Sequence, residues 1–374
     1  MTNLMPSTIQ YFSLITGLIF AILLSIMYLE LNWLAIPAQV QRFGCIDGLR
    51  GYLALGVFYH HFFMWTSTFK YGKWIDPDVI LFNNLGEATV ACFFMITGAL
   101  FYPKINKGFE NTDWSRLYIS RVFRILPLAW LAILAVFIVV FVKGWPSLDF
   151  SIPKMIKSIV LWFSFLLEPD IAGFHNSRRI IAGVTWSLRY EWLFYLSLPL
   201  MAILFTRFQK FVSNLTIILF LMVISLVMFS TFPKVAMKVA TFIPLFLFGM
   251  LAAELSTMPR LVVVMRSVTA SILGLIAVFF EIFRFSGSYG IVQYFLLSVF
   301  FIPVIAGNSY FGFLKHRASV ALGEISYSIY LLHGLVLYFF MTSSFGIGVA
   351  AKGTLYTVVV VTHSSCFSSL VVFA

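Results

Sequence analysis

The sequence predicts an all-α, polytopic integral-membrane bundle with about 10–12 transmembrane helices, because apolar stretches of spanning length recur along the whole chain. The composition leads to the same class. Of 374 residues, 61% are hydrophobic and only 10% are charged, whereas a soluble domain carries about 25% charged residues. The apolar stretches also lack the short alternating pattern of barrel strands. Helices are therefore the predicted elements.

The apolar stretches predict a single transmembrane domain over residues 1–374. An N-terminal helix at 9–29 lacks a basic leader and a cleavage site, so we expect it to be retained. It precedes a core at about 43–345, and an atypical last helix at about 353–372 has no charged flank. The other predicted helices, with limits good to a few residues, cover 51–66, 86–102, 126–142, 154–168, 184–205, 212–231, 240–256, 262–282, 289–307 and 320–342.

The net charge of +11 has a simple explanation in a membrane protein. Basic residues collect in cytoplasmic loops, and the most basic loop carries Lys104, Lys107, Arg116, Arg121 and Arg124. Two helices earlier, the start of the helix that carries Arg50 then also faces the cytoplasm. Anionic lipid or an anionic substrate could use the same positive charge.

Arg50 and His61 lie in one apolar segment, "RGYLALGVFYHH". Eleven residues bring a helix to about 20° beyond three turns, so both side chains share one face, roughly 16 Å apart along the axis. Asp47 lies one turn before Arg50 and could pair with it. Ionisable residues inside a membrane helix indicate a functional site, and histidine is the usual general base. The alternative is an interfacial arginine anchor and a histidine that only bonds a neighbouring helix.

Two further segments carry candidate residues. In "TWSLRYEWLFYLSLPL", Glu191 and Tyr195 share a helix face, and a buried carboxylate there must be paired or protonated. In "SRLYISRVFRILPL", Arg121 and Arg124 lie one turn apart at a helix entrance, where guanidinium pairs suit phosphate groups. An ion pair for Glu191 and lipid headgroups for the arginines are the structural alternatives.

The segment "LGEISYSIYLLH" ends on His333, which by itself favours a structural role. Its small and hydroxyl residues, Gly323, Ser326 and Ser328, favour close helix packing. The chain contains no nucleophile elbow, Walker loop or zinc-protease motif, and no metal-ligand spacing. We therefore expect no metal, and no nucleic-acid partner.

Taken together, these segments resemble membrane-bound acyltransferase family 3. "IDGLRGYLALGVFYHH" is similar to the family's opening helix, in which an arginine or lysine is followed by ten residues and a histidine; this pattern falls on Arg50 and His61, not on His60. "GEATVACFFMITGALF" is similar to the family's "FF-x-x-SG" segment, with Thr97 in place of the usual serine.

Three more segments follow in the family's order. "SRVFRILPLAWL" is similar to its "R-x-x-R-I-x-P" entrance through Arg121, Arg124 and Pro127. "TWSLRYEWLFYLSLPL" is similar to "WSL-x-x-E-x-x-FY", and "LGEISYSIYLLH" completes the set. The resemblance covers about residues 43 to 340.

The resemblance implies an acyltransferase, transferring groups other than amino-acyl groups, that moves an acyl group from acyl-CoA to a hydroxyl. Acetyl-CoA is the expected donor and a sugar of a polysaccharide, lipopolysaccharide or other glycan the expected acceptor, in the inner membrane of a bacterium. Arg50, Arg121 and Arg124 would then bind CoA phosphates, and His61 would act as general base or transient acyl carrier.

Glu191 would orient or balance a partner, and Tyr195 would donate to the developing oxyanion. The alternative is a glycan or lipid transporter or flippase without acyl transfer, which would share the intramembrane charges and the helix count. A subunit that has lost its activity is a third possibility.

Overall fold

The computed structural model describes residues 44–77, 79–231 and 237–343. Within these ranges the chain forms twelve α-helices and no β-strand, which confirms the predicted all-α class. The helices are α1 (Gly44–Tyr71), α2 (Ile80–Lys107), α3 (Trp114–Gly144), α4 (Ile152–Phe163), α5 (Trp186–Phe208), α6 (Asn214–Thr231), α7 (Met237–Leu255), α8 (Pro259–Met265), α9 (Val268–Arg284), α10 (Ile291–Ile305), α11 (Arg317–Glu324) and α12 (Ser326–Thr342). The predicted helices at 9–29 and 353–372 lie outside the described residues.

Four of these helices, α2, α3, α5 and α6, are long and apolar enough to cross a membrane individually. Two bent pairs raise the number in the described ranges to six if each pair counts as one span. One pair joins Val239–Leu255 to α8 through an angle of 110°, and the other joins α11 to α12 through 63°. The fold is thus a polytopic bundle in which some crossings are broken helices.

Side-chain hydrogen bonds show which helix termini lie together. Asn106 at the end of α2 accepts from Gln209 and Asn214, at 2.7 and 2.9 Å, and so joins the end of α5 to the start of α6. At the opposite end of the bundle, the Lys143 ammonium donates to Thr342 at 2.9 Å. We call the first of these ends, where Lys104 and Lys107 lie, the basic end.

Close helix contacts depend on glycine at three positions. A Cβ on Gly98 of α2 would lie 2.0 Å from the Phe246 carbonyl oxygen of α7, and a Cβ on Gly249 of α7 would lie 1.9 Å from the Met95 oxygen of α2. A Cβ on Gly323 would lie 1.9 Å from the Asp47 carbonyl oxygen of α1. Backbone therefore packs directly against backbone, as small residues permit in membrane bundles.

Several predicted helix limits differ from the structure. The helices predicted over 51–66, 86–102 and 126–142 are longer and span Gly44–Tyr71, Ile80–Lys107 and Trp114–Gly144, so Arg121 and Arg124 lie within a helix and not at its entrance. The helix predicted over 154–168 ends at Phe163, and Phe165 follows with a φ of 59°, which a right-handed helix does not contain. The helix predicted over 262–282 is divided, because Ser267 caps a new helix by accepting from the Ala270 amide at 3.1 Å. The helix predicted over 320–342 bends at Ile325, next to the Gly323 contact with α1.

Candidate active site

A cavity near the basic end collects most of the candidate residues. Its volume is about 120 Å³. α1, α3 and α5 supply its charged side chains, which are Arg50, Arg121, Arg124 and Glu191, and Tyr195 also lines it. Five of the six predicted site residues therefore lie around one space, although they come from three separate segments of the sequence.

The charges around this cavity are unbalanced. Three guanidinium groups face one carboxylate, and all three are close enough to Glu191 to interact with it electrostatically. The nearest acidic neighbour of Arg50 is Asp47, whose Oδ1 lies 3.8 Å from Arg50 Nη1. Asp47 and Glu324 both interact electrostatically with Arg50. We name this space the arginine cavity, and its net positive charge suits an anion.

Hydrogen bonds fix the walls of the arginine cavity. The Tyr195 hydroxyl donates to Glu191 Oε1, one helical turn earlier on α5. The Tyr118 hydroxyl donates to the Tyr195 carbonyl oxygen at 2.9 Å and holds α3 against α5. The Tyr327 hydroxyl donates to the Ile125 carbonyl oxygen at 2.7 Å and brings α12 to α3.

His61 does not line the arginine cavity but lies further along α1, in contact with α12. His61 Nδ1 is 3.1 Å from His333 Nε2 and 3.0 Å from the Val57 carbonyl oxygen. The His333 side chain is buried, whereas His61 keeps partial exposure. His60 points elsewhere, with its Nδ1 3.0 Å from the Phe82 carbonyl oxygen. The two consecutive histidines therefore have different hydrogen-bond partners.

Tyr330 lies between the arginine cavity and the histidine pair. Its side chain lines the cavity, and its ring centroid is 6.4 Å from that of His333 on the same helix. The hydroxyl is 2.7 Å from Ser187 Oγ and donates to the Val184 carbonyl oxygen at 3.2 Å. Phe93 packs edge-on against the Tyr330 ring, with centroids 5.8 Å apart. Tyr330 and Phe93 thus form the part of the cavity wall that adjoins His333.

A second cavity, of about 1000 Å³, lies on the other side of α5 from the arginine cavity. The two cavities share no lining residue. Trp186 lines the second cavity, and Ser187, the next residue in the chain, lines the arginine cavity. The polar and aromatic lining of the second cavity includes Glu168, Arg178, Arg189, Trp186 and Tyr289.

Glu168 is held within this second cavity by a hydrogen bond from the Thr185 hydroxyl. Burial raises the pKa of the Glu168 carboxyl, while the Thr185 hydrogen bond and the charges of Arg178 and Arg189 oppose this shift. Aromatic rings separate the two cavities: Phe94 of the arginine cavity lies 4.9 Å from Phe242 and 6.4 Å from Trp186, measured between ring centroids.

A family model described as an acyltransferase domain matches residues 43–373. The chain belongs to acyltransferase family 3. This membership makes the protein an integral-membrane, multi-pass acyltransferase, with O-acyl transfer as the general activity, and it favours the enzyme over the transporter alternative. Comparison with curated proteins and with solved structures gave no match.

Four residues of the candidate site were not selected from the sequence. Ser187, Tyr327 and Tyr330 line the arginine cavity, and His333 contacts His61. Tyr327, Tyr330 and His333 are spaced three residues apart, which places them along one face of a helix, and this spacing was the available signal. Among the described residues there is no group of three or more histidine, cysteine or acidic side chains that could hold a metal ion.

Proposed function

We propose that the protein is an O-acetyltransferase that moves the acetyl group of acetyl-CoA to a hydroxyl of a glycan sugar, in the inner membrane of a bacterium. The observation that carries this proposal is the arginine cavity, with three guanidinium groups and one carboxylate. One of these arginines, Arg50, shares its helix face with His61. The acyl donor has anionic phosphate groups at one end and a thioester at the other. The arginines match the phosphate end, and the imidazole of His61 matches the thioester end.

Arg50, Arg121 and Arg124 bind the phosphate groups of the donor. Charge-assisted hydrogen bonds from guanidinium to phosphate are about twice as strong as neutral ones. A cavity of about 120 Å³ holds only part of the donor, since ligand pockets are commonly about 300–1000 Å³. Tyr330 and Phe93 would have to turn for the pantetheine arm to reach His61, which lies roughly 16 Å beyond Arg50 along α1.

His61 acts on the acetyl group in one of two balanced routes. As a general base, its imidazole takes the proton of the acceptor hydroxyl while the hydroxyl oxygen attacks the thioester carbonyl carbon. The tetrahedral intermediate then loses CoA thiolate as the C–S bond breaks, and the thiolate takes the proton from the imidazolium. As an acyl carrier, the imidazole nitrogen attacks the thioester carbonyl carbon, and the C–S bond breaks to leave an acetyl-imidazolium and CoA thiolate. The acceptor hydroxyl oxygen then attacks the acetyl carbon as the C–N bond breaks, and the hydroxyl proton passes to the thiolate.

Glu191 and Tyr195 support the donor end of this site. Glu191 offsets part of the mutual repulsion of the three guanidinium groups when the donor is absent. The oxyanion role predicted for Tyr195 stays a prediction. Its hydroxyl donates to Glu191 in this structure, so that role requires Tyr195 to exchange one acceptor for the other during the reaction.

The second cavity is the proposed site of the sugar acceptor. Its aromatic rings, Trp186 and Tyr289, offer flat apolar surfaces, while Glu168, Arg178 and Arg189 supply hydrogen-bonding groups. Sites of this kind combine an apolar lining with a few placed polar groups. The acceptor hydroxyl would approach the acetyl group past Trp186 and Phe242, which border the arginine cavity at Phe94.

Steady-state kinetics with the purified protein in detergent test the proposal. Acetyl-CoA is the donor, methyl glycosides of common envelope sugars are the acceptors, and released CoA thiol is measured. We expect Arg121→Ala to raise the KM for acetyl-CoA about 10–100-fold, because it removes a hydrogen bond to a charged group worth about 1.5–3 kcal/mol. We expect His61→Ala to lower kcat by about 10²–10⁴.

The matched controls are the exposed residues Arg116 and His175, which lie outside both cavities. Arg116→Ala and His175→Ala should keep the wild-type constants. Full activity of His61→Ala would refute the role of this histidine. An unchanged KM for acetyl-CoA in Arg50→Ala, Arg121→Ala and Arg124→Ala would refute the donor site.

A further inference from the structure

His61 and His333 form a contact between α1 and α12 that connects positions 272 residues apart. His61 Nδ1 lies 3.1 Å from His333 Nε2, and the ring centroids are 5.0 Å apart. Each imidazole also meets a carbonyl oxygen of its own helix. His61 Nδ1 is 3.0 Å from the Val57 oxygen, and His333 Nδ1 is 2.9 Å from the Ile329 oxygen.

The donors and acceptors in this chain allow one arrangement of two neutral rings. A carbonyl oxygen only accepts, so His333 Nδ1 carries a hydrogen and donates to Ile329. A neutral imidazole has one N–H, and His333 Nε2 is therefore an acceptor. Its partner, His61 Nδ1, must then supply the hydrogen, which it shares between His333 Nε2 and the Val57 oxygen. His61 Nε2 is left with its lone pair.

The opposite pair of tautomers, in which Nδ1 of each histidine carries the lone pair, is unfavourable at two contacts. If His61 Nδ1 carried the lone pair, that lone pair would face the Val57 oxygen at 3.0 Å. His333 Nε2 would then be the donor, and the lone pair of His333 Nδ1 would face the Ile329 oxygen at 2.9 Å. Two buried acceptor–acceptor contacts each cost free energy comparable to a lost hydrogen bond. The tautomers follow from this network.

His333 is more deeply buried than His61. His333 is 1% exposed and its ring is packed against Phe58 and Tyr330, with centroids 6.4 Å away in both cases. His61 keeps partial exposure. His333 is thus fixed by packing and by its own carbonyl, and it presents Nε2 to the less buried of the two residues.

We propose that His333 is a positioning residue, which holds His61 as the Nδ1–H tautomer and leaves the His61 Nε2 lone pair for the acyl-transfer step. This inference rests on the proposed function, in which His61 is the base or the acyl carrier. Both routes need the same thing from His333, because a proton acceptor and a nucleophile each need a free lone pair. In metal sites, a group that accepts a hydrogen bond from the far ring nitrogen of a ligating histidine fixes its tautomer in the same way.

Two substitutions at His333 separate positioning from packing. His333→Leu removes the acceptor and keeps an apolar side chain in the buried space. His333→Gln retains a side-chain oxygen that can accept from His61 Nδ1. We expect His333→Leu to lower kcat for acetyl transfer about 10–100-fold with an unchanged KM for acetyl-CoA, and His333→Gln to recover most of that loss. His175→Leu, at an exposed position, is the matched control.

Nitrogen NMR of protein labelled with ¹⁵N-histidine gives a readout that does not depend on activity. A His61→Gln difference spectrum assigns the two nitrogens of His61. We expect a protonated Nδ1 and an unprotonated Nε2 in the wild type, and a mixture of tautomers in His333→Leu. Thermal unfolding in the same detergent identifies a variant that has lost its fold, and in that case His333→Gln alone carries the test.

Three results would overturn the inference: an unprotonated Nδ1 in wild-type His61, a wild-type kcat in His333→Leu, or equal losses in folded His333→Leu and His333→Gln. Failure of the proposed function has a different signature. In that case the wild type releases no CoA with any acceptor, while the NMR spectrum still reports whether His333 sets the tautomer of His61.

Discussion

Gly98→Ala should destabilise the protein, although alanine is the better helix former. The new Cβ would lie 2.0 Å from the Phe246 carbonyl oxygen, which is 1.4 Å short of the 3.4 Å where ordinary contact begins. The neighbour is backbone, so no side chain can turn away. Overpacking of this kind costs about 3 kcal/mol at the upper end, and the helix-propensity gain of alanine offsets about 1 kcal/mol.

The expected net loss for Gly98→Ala is therefore about 2 kcal/mol, which for a chain of 374 residues lowers the apparent Tm by about 2–3 °C. The assay is heating in detergent followed by size-exclusion chromatography of the remaining folded protein. Gly44→Ala is the matched control, because its Cβ would meet only Lys315 Cγ at 3.8 Å. If Gly98→Ala and Gly44→Ala melted together, the direct backbone contact between α2 and α7 would be refuted.

Three further substitutions have defined outcomes. Tyr102→Phe should lower the free energy of unfolding by about 1–3 kcal/mol, since it removes the donor 2.7 Å from Glu254 Oε2; an unchanged apparent Tm would contradict this. Asn84→Ala should increase hydrogen exchange in the last turn of α9, because the Asn84 amide donates to the Ile282 and Phe285 carbonyl oxygens at 2.8 and 2.6 Å; exchange equal to the wild type would count against it. Thr97→Ser should leave the KM for acetyl-CoA within about twofold, since the Thr97 hydroxyl donates within its own helix to Phe93 at 3.0 Å and serine keeps that bond; a larger change would give the methyl group a role in the donor site.

The sequence was sufficient to predict the class of the fold and to select the charged residues that line the arginine cavity. A charged side chain has a high free-energy cost in an apolar chain, so its presence indicates a function. This reasoning identified Arg50, Arg121, Arg124 and Glu191. The broken helices were harder to predict. The bend at Ile325 lies next to a backbone contact between Gly323 and Asp47, 276 positions apart. Helical periodicity in the sequence does not report contacts between such distant residues.

The role of His333 could not be predicted from its own segment. A single histidine on an apolar helix face is ordinary, and only the packing of α12 against α1 brings it to 3.1 Å from His61. The arginine cavity likewise depends on tertiary packing. Its parts were predicted one by one, but the wall that Tyr330 forms beside Ser187, at 2.7 Å, comes from the tertiary arrangement of α5 and α12.

The partition between the two cavities has a consequence for the membrane itself. Trp186 and Ser187 line different cavities, and the rings of Phe94 and Phe242 are in contact across the boundary, with centroids 4.9 Å apart. Aromatic and apolar groups do not supply the hydrogen bonds that hydrated ions need, so such a boundary obstructs water and ions. A layer of this kind would keep the two cavities from joining into one aqueous path through the bundle. Vesicles that contain this protein should accordingly hold a proton gradient as well as vesicles without it.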